Sequence, residues 1–260
     1  MPPFQETLLL NAALLLSGMT LLWLLSLALR NASIVDVFWG LGFILVAGAS
    51  LAWNRQLHPR AILMTGMTVI WGLRLAGYVA WRNHGQGEDR RYVAMRQTHG
   101  TSFWWWSLFS VFLLQGVILW IIALPLQAVI ADPGEPFGTP LDILGLALWI
   151  FGFGFEVIGD WQLAHFKADP QNKGRVMDRG LWRYTRHPNY FGECVLWWGI
   201  FCLAAAGGAW WTVVSPILLT IFLVKFSGVG LLESTIVDRR PEYAAYQQRT
   251  SAFIPWRPRL

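Results

Sequence analysis

Apolar runs of about twenty residues recur along the whole chain, and short polar segments separate them. A helix rises about 1.5 Å per residue, so a run of this length crosses the roughly 30 Å hydrocarbon core of a bilayer. The sequence is 55% hydrophobic and 13% charged, and no polar segment is long enough to build a large soluble domain. The pattern therefore predicts an all-α multi-pass membrane protein with about seven transmembrane helices in a single domain over residues 1–260. The predicted spans are 8–29, 34–53, 61–81, 103–130, 141–166, 189–206 and 210–229. Gly40 permits close helix packing of the second span, and Pro125 kinks the fourth or marks its end. A charged loop is expected over 82–92.

Basic residues are distributed unevenly between the segments that separate these runs. If the N-terminus lies outside, the outer loops contain only Arg55 and Arg60. The inner segments then contain the other clusters, at Arg30, 82–96, 167–187 and 238–260. Because Lys and Arg accumulate on the cytoplasmic side, this orientation is predicted, with the C-terminus inside. The net charge of +5 thus reflects topology, and no nucleic-acid partner is expected.

Several charged residues fall within or beside the apolar runs, where a charge is costly unless it has a partner or faces a cavity. They are Asp36, Arg74, Glu156, Asp160, Glu193, Lys225 and Glu233. Arg74 is a candidate ion-pair partner for Asp36, and Lys225 is placed to extend its amine toward the interface. Glu156, Asp160 and Glu193 come from two runs that flank one cationic loop, which makes them the strongest functional candidates.

That loop ends in the stretch 183–193, Arg-Tyr-Thr-Arg-His-Pro-Asn-Tyr-Phe-Gly-Glu. Pro188 is well placed to open a helix, because a first-turn residue needs no N–H partner. Asn189 and Glu193 are four residues apart and share a face of that helix. Three arginines of the loop can bind phosphate: Arg175, Arg179 and Arg186. The carboxylates instead accept hydrogen bonds from ribose hydroxyls or an amide NH₂. This mixture predicts a nucleotide cofactor held by a cytoplasmic cofactor-binding loop region.

Two other kinds of site are not expected. No Gly-x-Gly-x-x-Gly fingerprint is present in the sequence, so a Rossmann unit is not predicted. Cys194 and Cys202 lie in one apolar run, too far apart along a helix to form a disulfide, and no metal site is predicted.

The stretch 183–193, with Gly-Leu-Trp before it, resembles the steroid 5α-reductase family, including its bacterial members. Asp160-Trp-Gln-Leu and the tail Tyr243, Tyr246 and Phe253-Ile-Pro are also similar. Sterol reductases and the isoprenylcysteine and phospholipid methyltransferases share the Arg-His-Pro-x-Tyr core, and the Asn-Tyr-Phe-Gly-Glu continuation favours the reductases. The resemblance implies a seven-helix protein of a bacterial inner membrane that binds NADPH from the cytoplasmic side. It implies reduction of the C4–C5 double bond of 3-oxo-Δ4 steroids or a similar flat lipid enone.

The resemblance also implies roles for particular residues. The cofactor-binding positions it indicates are Asp160, Lys167, Arg175, Tyr184, Asn189, Glu193 and Tyr246, with Arg240 as a further candidate. Arg186 and His187 are added to them because they lie just before the helix that Pro188 opens, and a helix N-terminus flanked by cations suits phosphate. In the first half of the chain, members of the family carry a catalytic Tyr one turn before an Arg. If that Arg is Arg74, the position of the Tyr is Trp71, and Tyr78 is an alternative source of the hydroxyl. Asp36 is the other candidate acid, and Trp39 and Arg74 are candidate substrate contacts.

Reduction of an enone places a hydride on the β-carbon, so negative charge develops on the carbonyl oxygen and an acid must meet it there. Asp36 can donate directly if it is protonated, or it can orient Tyr78. A lipid-like steroid enone and membrane lipids are therefore the expected partners of a monomeric enzyme. One alternative is a SAM-dependent membrane methyltransferase of the isoprenylcysteine or phospholipid type. Another is a non-enzymatic membrane protein, such as a transporter or a lipid-binding subunit.

Overall fold

The computed structural model describes residues 4–55, 57–132, 134–226 and 242–259. Within these residues the chain is all-α, and β-structure is limited to one isolated parallel bridge between Thr185 and Ser251. The predicted fold class is therefore confirmed. Two residues that the sequence singles out, Glu233 and Arg240, lie outside the described residues.

The long helices follow the apolar runs closely. In chain order they are α1 (Phe4–Leu29), α2 (Ile34–Asn54), α3 (Pro59–Asn83), α4 (Arg90–His99), α5 (Phe103–Ser107), α6 (Leu114–Ile122), α7 (Leu124–Ala131), α8 (Pro140–Ala168), α9 (Pro188–Ala206), α10 (Val214–Ile221) and α11 (Glu242–Arg249). A π-helical turn, Leu108–Leu113, joins α5 to α6. Proline residues open α3, α8 and α9, as expected for a residue without an N–H group.

Among the described residues, 5 helices are long and apolar enough to cross a membrane. They are α1, α2, α3, the continuous stretch Arg90–Ile122, and α8. The sixth and seventh predicted spans correspond to α9, with 19 residues, and to the shorter apolar segment Trp210–Lys225. The predicted count of seven is thus approximate, whereas the multi-pass character is confirmed.

The segment that follows α3 differs from the sequence-based expectation of a charged loop over 82–92. Here α3 continues to Asn83, and α4 begins at Arg90. The side chain of Asp89 accepts a hydrogen bond from the backbone N–H of Arg91 and so caps α4. The predicted break at Pro125 is confirmed, since α6 ends at Ile122 and α7 begins at Leu124.

The chain falls into two compact units. Unit 1 comprises Met1–Phe137 with Ala204–Thr212, and unit 2 comprises Gly138–Leu203 with Val213–Leu260.

In unit 1, α2 and α3 pack closely because glycine residues meet at their crossing. A Cβ atom on Gly40 would clash with the backbone carbonyl of Gly72, and one on Gly72 would clash with the carbonyl of Gly40. The predicted role of Gly40 in close helix packing is therefore confirmed. The same contact fixes the start of α2, where Asp36 lies, against the second half of α3.

In unit 2, α8 packs against α9 through a comparable pair. Gly152 of α8 faces the backbone of Gly192 and Leu196 of α9, with no room for a side chain on either glycine. A capping box between Thr139 and Asp142 defines where α8 begins. The close approach brings the polar residues of α8 alongside the first turns of α9.

Candidate functional site

The centre of the candidate site in unit 2 is the pair formed by Asp160 of α8 and Asn189 of α9. The amide nitrogen of Asn189 donates a hydrogen bond to Oδ1 of Asp160 across 3.1 Å. Gly159 permits this approach, since Pro188 and the backbone nitrogen of Asn189 pack directly against its Cα. Sequence reasoning placed both residues in one site, and within unit 2 the structure brings them together.

The other end of the Asn189 amide is a buried acceptor. Its Oδ1 has no hydrogen-bond partner among the described residues. Because the NH₂ group of Asn189 donates to Asp160, its carbonyl oxygen is the atom left over. A buried polar atom in this state costs about 1–3 kcal/mol unless a donor reaches it. A ligand that carries an amide NH₂, a hydroxyl or an ammonium group supplies such a donor.

Three carboxylates belong to the two helices that carry Asp160 and Asn189. Glu156 and Asp160 lie one turn apart on α8 and are 2% and 4% exposed. Glu193 is half-buried, one turn after Asn189 on α9.

The cations predicted for phosphate lie in a different setting. Lys167, in the last turn of α8, and Arg175, in the loop that follows, are both exposed. Tyr184 is 43% exposed and follows the short 3-10 helix Gly180–Arg183. A ligand that contacts both groups would have a donor-rich part and an anionic part.

Arg186 and His187 occupy the interior rather than the surface. Arg186 is 9% exposed, and its Nη1 donates to the carbonyls of Gln247 and Thr250 across 2.9 Å and 2.6 Å. These carbonyls lie at the end of α11, where a cation is favourable. His187 is 4% exposed and stacks on Tyr190. The structure thus gives Arg186 a packing role, and its contact with a cofactor stays a prediction.

The tail extends this arrangement. The hydroxyl of Tyr246 donates a hydrogen bond to the carbonyl of Trp182, whose indole N–H in turn donates to the carbonyl of Gly159. Gln162 accepts from the backbone N–H of Leu181 across 2.9 Å. These contacts hold the segment before α9 against α8. Tyr246 therefore orients the segment that carries the predicted site.

A second buried polar cluster lies in unit 1 at the start of α2. Oδ2 of Asp36 accepts from Arg91 across 2.7 Å, and Oδ1 accepts from the hydroxyl of Tyr92 across 2.8 Å. Gln115 donates to the oxygen of Tyr92, and Trp39 donates from its indole to Gln115. Trp39 is thus connected to Asp36 by hydrogen bonds through Gln115 and Tyr92.

The residues predicted around Arg74 have other neighbours. Arg91, and not the candidate Arg74, forms the ion pair that the structure records for Asp36. The guanidinium groups of Arg74 and Arg82 lie over the Tyr78 ring, 5.3 Å and 5.9 Å from its centroid. Trp71 is 1% exposed and packs edge-on against Phe43.

Sequence reasoning missed Arg91, Tyr92 and Gln115. The first two were assigned to a loop, because the polar residues of α4 give no apolar periodicity. The available signal was Asp89, a good N-cap residue directly before the polar helix. Gln115, a lone amide within an apolar run, carried a weaker signal.

Charged residues also connect the segment before α4 to the start of α2. Glu88 accepts from the backbone N–H of Ala32 across 2.7 Å and pairs with Arg96 across 2.8 Å. Burial acts to raise the pKa of Asp89, but the hydrogen bonds and charge of Arg91 outweigh it and hold the pKa below its ordinary value. These contacts fix the segment before α4 to the start of α2.

The fold and these clusters define an integral membrane protein that buries polar groups at two places within its helices. The chain belongs to the family described as "Protein of unknown function (DUF1295)", whose model matches residues 22–250. This family includes steroid 5α-reductase-like and methyltransferase members.

Two relatives show how far the similarity extends. An uncharacterized protein of Schizosaccharomyces pombe is 28% identical over 270 residues, which cover 90% of this chain and 75% of the relative. Methanethiol S-methyltransferase 1 of Bradyrhizobium diazoefficiens is 29% identical over 143 residues, which cover 51% of this chain and 48% of that enzyme. No solved structure matches the chain.

Proposed function

We propose that this protein is a membrane reductase that uses NADPH to reduce the C4–C5 double bond of a 3-oxo-Δ4 steroid or a similar flat lipid enone. The observation that carries the proposal is the buried Oδ1 of Asn189 beside Asp160, in a segment that resembles the reductases. A carboxamide NH₂ or a ribose hydroxyl provides the missing donor. The site lies on the cytoplasmic side of a bacterial inner membrane in this proposal, as the positive-inside distribution indicates.

The residues present fit such a cofactor in two parts. Asp160, Asn189 and Glu193 would hold its hydroxyl and amide donors, because they offer acceptors in a buried setting. Lys167 and Arg175 would hold its phosphates, because they are exposed cations. When bound, NADPH supplies the hydride, and the protein contributes position and exclusion of water.

The proton in this proposal comes from the cluster around Asp36. An acid must stabilise the charge that develops on the carbonyl oxygen. Asp36 and Tyr78 are the sequence-based candidates, and Tyr92 joins them because its hydroxyl is hydrogen-bonded to Asp36. Trp39 and Arg74 remain the proposed substrate contacts, and Trp71 takes the position of the family's tyrosine if the family's arginine corresponds to Arg74.

A SAM-dependent methyltransferase is the second candidate, and the similarity to methanethiol S-methyltransferase 1 favours it. The ammonium and sulfonium groups of SAM are positively charged and suit the buried carboxylates Glu156 and Asp160. SAM carries a single carboxylate and no phosphate, however, so it would use fewer of the exposed cations than NADPH would.

A binding measurement separates the two candidates. A ligand at one hundred times its Kd stabilises the folded state by about 2.7 kcal/mol. The purified protein in detergent should therefore unfold at a higher temperature with NADPH and not with SAM. Stabilisation by SAM alone would contradict the reductase proposal and support a methyltransferase.

A further inference from the structure

The last ten described residues, 250–259, are held along the segment that leads into α9. The backbone N–H of Arg186 donates to the carbonyl of Ser251, and the hydroxyl of Thr185 donates to the carbonyl of Phe253. The backbone N–H of Trp256 donates to the carbonyl of Tyr184 across 2.9 Å. The tail is thus fixed by its main chain.

One aromatic contact places this tail beside the beginning of a predicted span. The Phe253 ring packs edge-on against Phe191, in the first turn of α9, with ring centroids 5.9 Å apart. The beginning of a transmembrane helix lies at the membrane–water interface. The tail therefore lies at the depth where lipid headgroups are found.

Its next side chains are apolar and exposed. Ile254 is 65% exposed, and Trp256 is 73% exposed. Arg257 and Arg259 are exposed as well, and the sequence 250–259 contains no acidic residue. An exposed apolar group with cations around it marks an interaction surface. We call Ile254, Trp256, Arg257 and Arg259 the tail patch.

We propose that the tail patch binds the surface of a bilayer that contains anionic phospholipids. A Trp ring is amphipathic and is favoured at the headgroup level, and an Ile side chain adds apolar area that can be buried there. The two guanidinium groups are attracted to anionic headgroups. A purely cationic patch would not need the apolar pair, and a purely apolar patch would not need the arginines. This inference rests on membrane insertion and is independent of the reaction proposed above.

An environment-sensitive thiol probe at Pro258→Cys would report the binding while it leaves the patch intact. The full-length protein would be reconstituted in nanodiscs of phosphatidylcholine alone or with phosphatidylglycerol. Unsubstituted protein corrects for the native thiols, Cys194 and Cys202, which are buried. We expect blue-shifted emission in the anionic discs, and most of the shift should disappear at 1 M salt, where the Debye length is only about 3 Å.

Two further variants determine which groups are responsible. Arg257→Gln with Arg259→Gln should lower the equilibrium constant for tail binding about 30-fold. Trp256→Ser should abolish the shift. The matched control is Arg55→Gln, an exposed arginine in another loop, which should have no effect. An unchanged thermal midpoint shows that each variant is folded. The same emission in both kinds of disc, or a shift that survives the double variant, would overturn the proposal. So would a shift that requires an added protein.

Discussion

The hydroxyl of Tyr92 donates a hydrogen bond to Oδ1 of Asp36 across 2.8 Å, while Arg91 of the same helix holds the other carboxylate oxygen. Tyr92 is 3% exposed, so this contact is shielded from water. It joins the start of α2 to the start of α4. A buried carboxylate with two strong donors is both a structural junction and a group whose hydrogen bonds a substrate carbonyl could join.

Removal of the Tyr92 hydroxyl should affect stability and turnover together. Tyr92→Phe keeps the ring but withdraws one donor from Asp36, at a cost of about 1–3 kcal/mol. We expect a lower thermal midpoint and slower NADPH-dependent reduction of an enone such as progesterone. Tyr78→Phe is the comparison variant, because Tyr78 is the other candidate proton donor. Normal turnover in Tyr92→Phe with loss of turnover in Tyr78→Phe would assign proton donation to Tyr78.

Replacement of the Asp36 carboxylate should separate catalysis from cofactor binding. Asp36→Asn is nearly isosteric, and it removes the charge that Arg91 pairs with. We expect a large fall in kcat and a nearly unchanged Kd for NADPH, measured by thermal shift. If Asp36→Asn turned over normally, Asp36 would be neither the acid nor the group that orients it.

Arg186 should hold the tail in place. Arg186→Ala leaves the carbonyls of Gln247 and Thr250 without this donor, at a cost of about 1–3 kcal/mol each. We expect faster proteolysis within 242–259 under native conditions, followed by mass spectrometry of the fragments. Arg183→Ala, at an exposed position in the same segment, should leave the tail protected. Equal cleavage in both variants would show that Arg186 does not anchor the tail.

Asp89 gives the stability a defined pH dependence. Its pKa is lower in the folded state, so its charge stabilises the fold above the unfolded pKa of about 3.9, and this contribution is lost as the pH falls through the folded pKa. Asp89→Asn retains a good N-cap but removes the charge. We expect the wild-type protein to be more stable than Asp89→Asn at pH 7, with a difference that disappears on acidification. A difference that is independent of pH would show that the charge of Asp89 does not contribute.

The fold was largely predictable because the bilayer imposes a length on apolar runs, and the runs are explicit in the sequence. Pro188 and Gly40 were predictable for a similar reason, since each residue type suits few other positions. The α4 segment was not, because its residues are polar and its helix depends on one capping carboxylate, Asp89. Arg91 and Tyr92, which bind Asp36, were missed for the same reason, because both belong to α4.

The candidate site shows a related contrast. Asp160 and Asn189 were predicted together because a motif fixes both. For Arg186 the phosphate contact stays a prediction, and the sequence did not indicate its hydrogen bonds to the carbonyls of Gln247 and Thr250. An arginine reads the same in sequence whether it meets a ligand or a helix end, and only the fold determines which acceptor is near.

The most direct test of the central claim is a titration of the purified protein with NADPH, NADH and SAM, followed by the thermal midpoint. The account predicts stabilisation by NADPH, weaker stabilisation by NADH because it lacks the extra phosphate, and none by SAM. Arg175→Ala should bring the NADPH response close to the NADH response, and Asn189→Leu should weaken both. Stabilisation by SAM but not by NADPH would contradict the account.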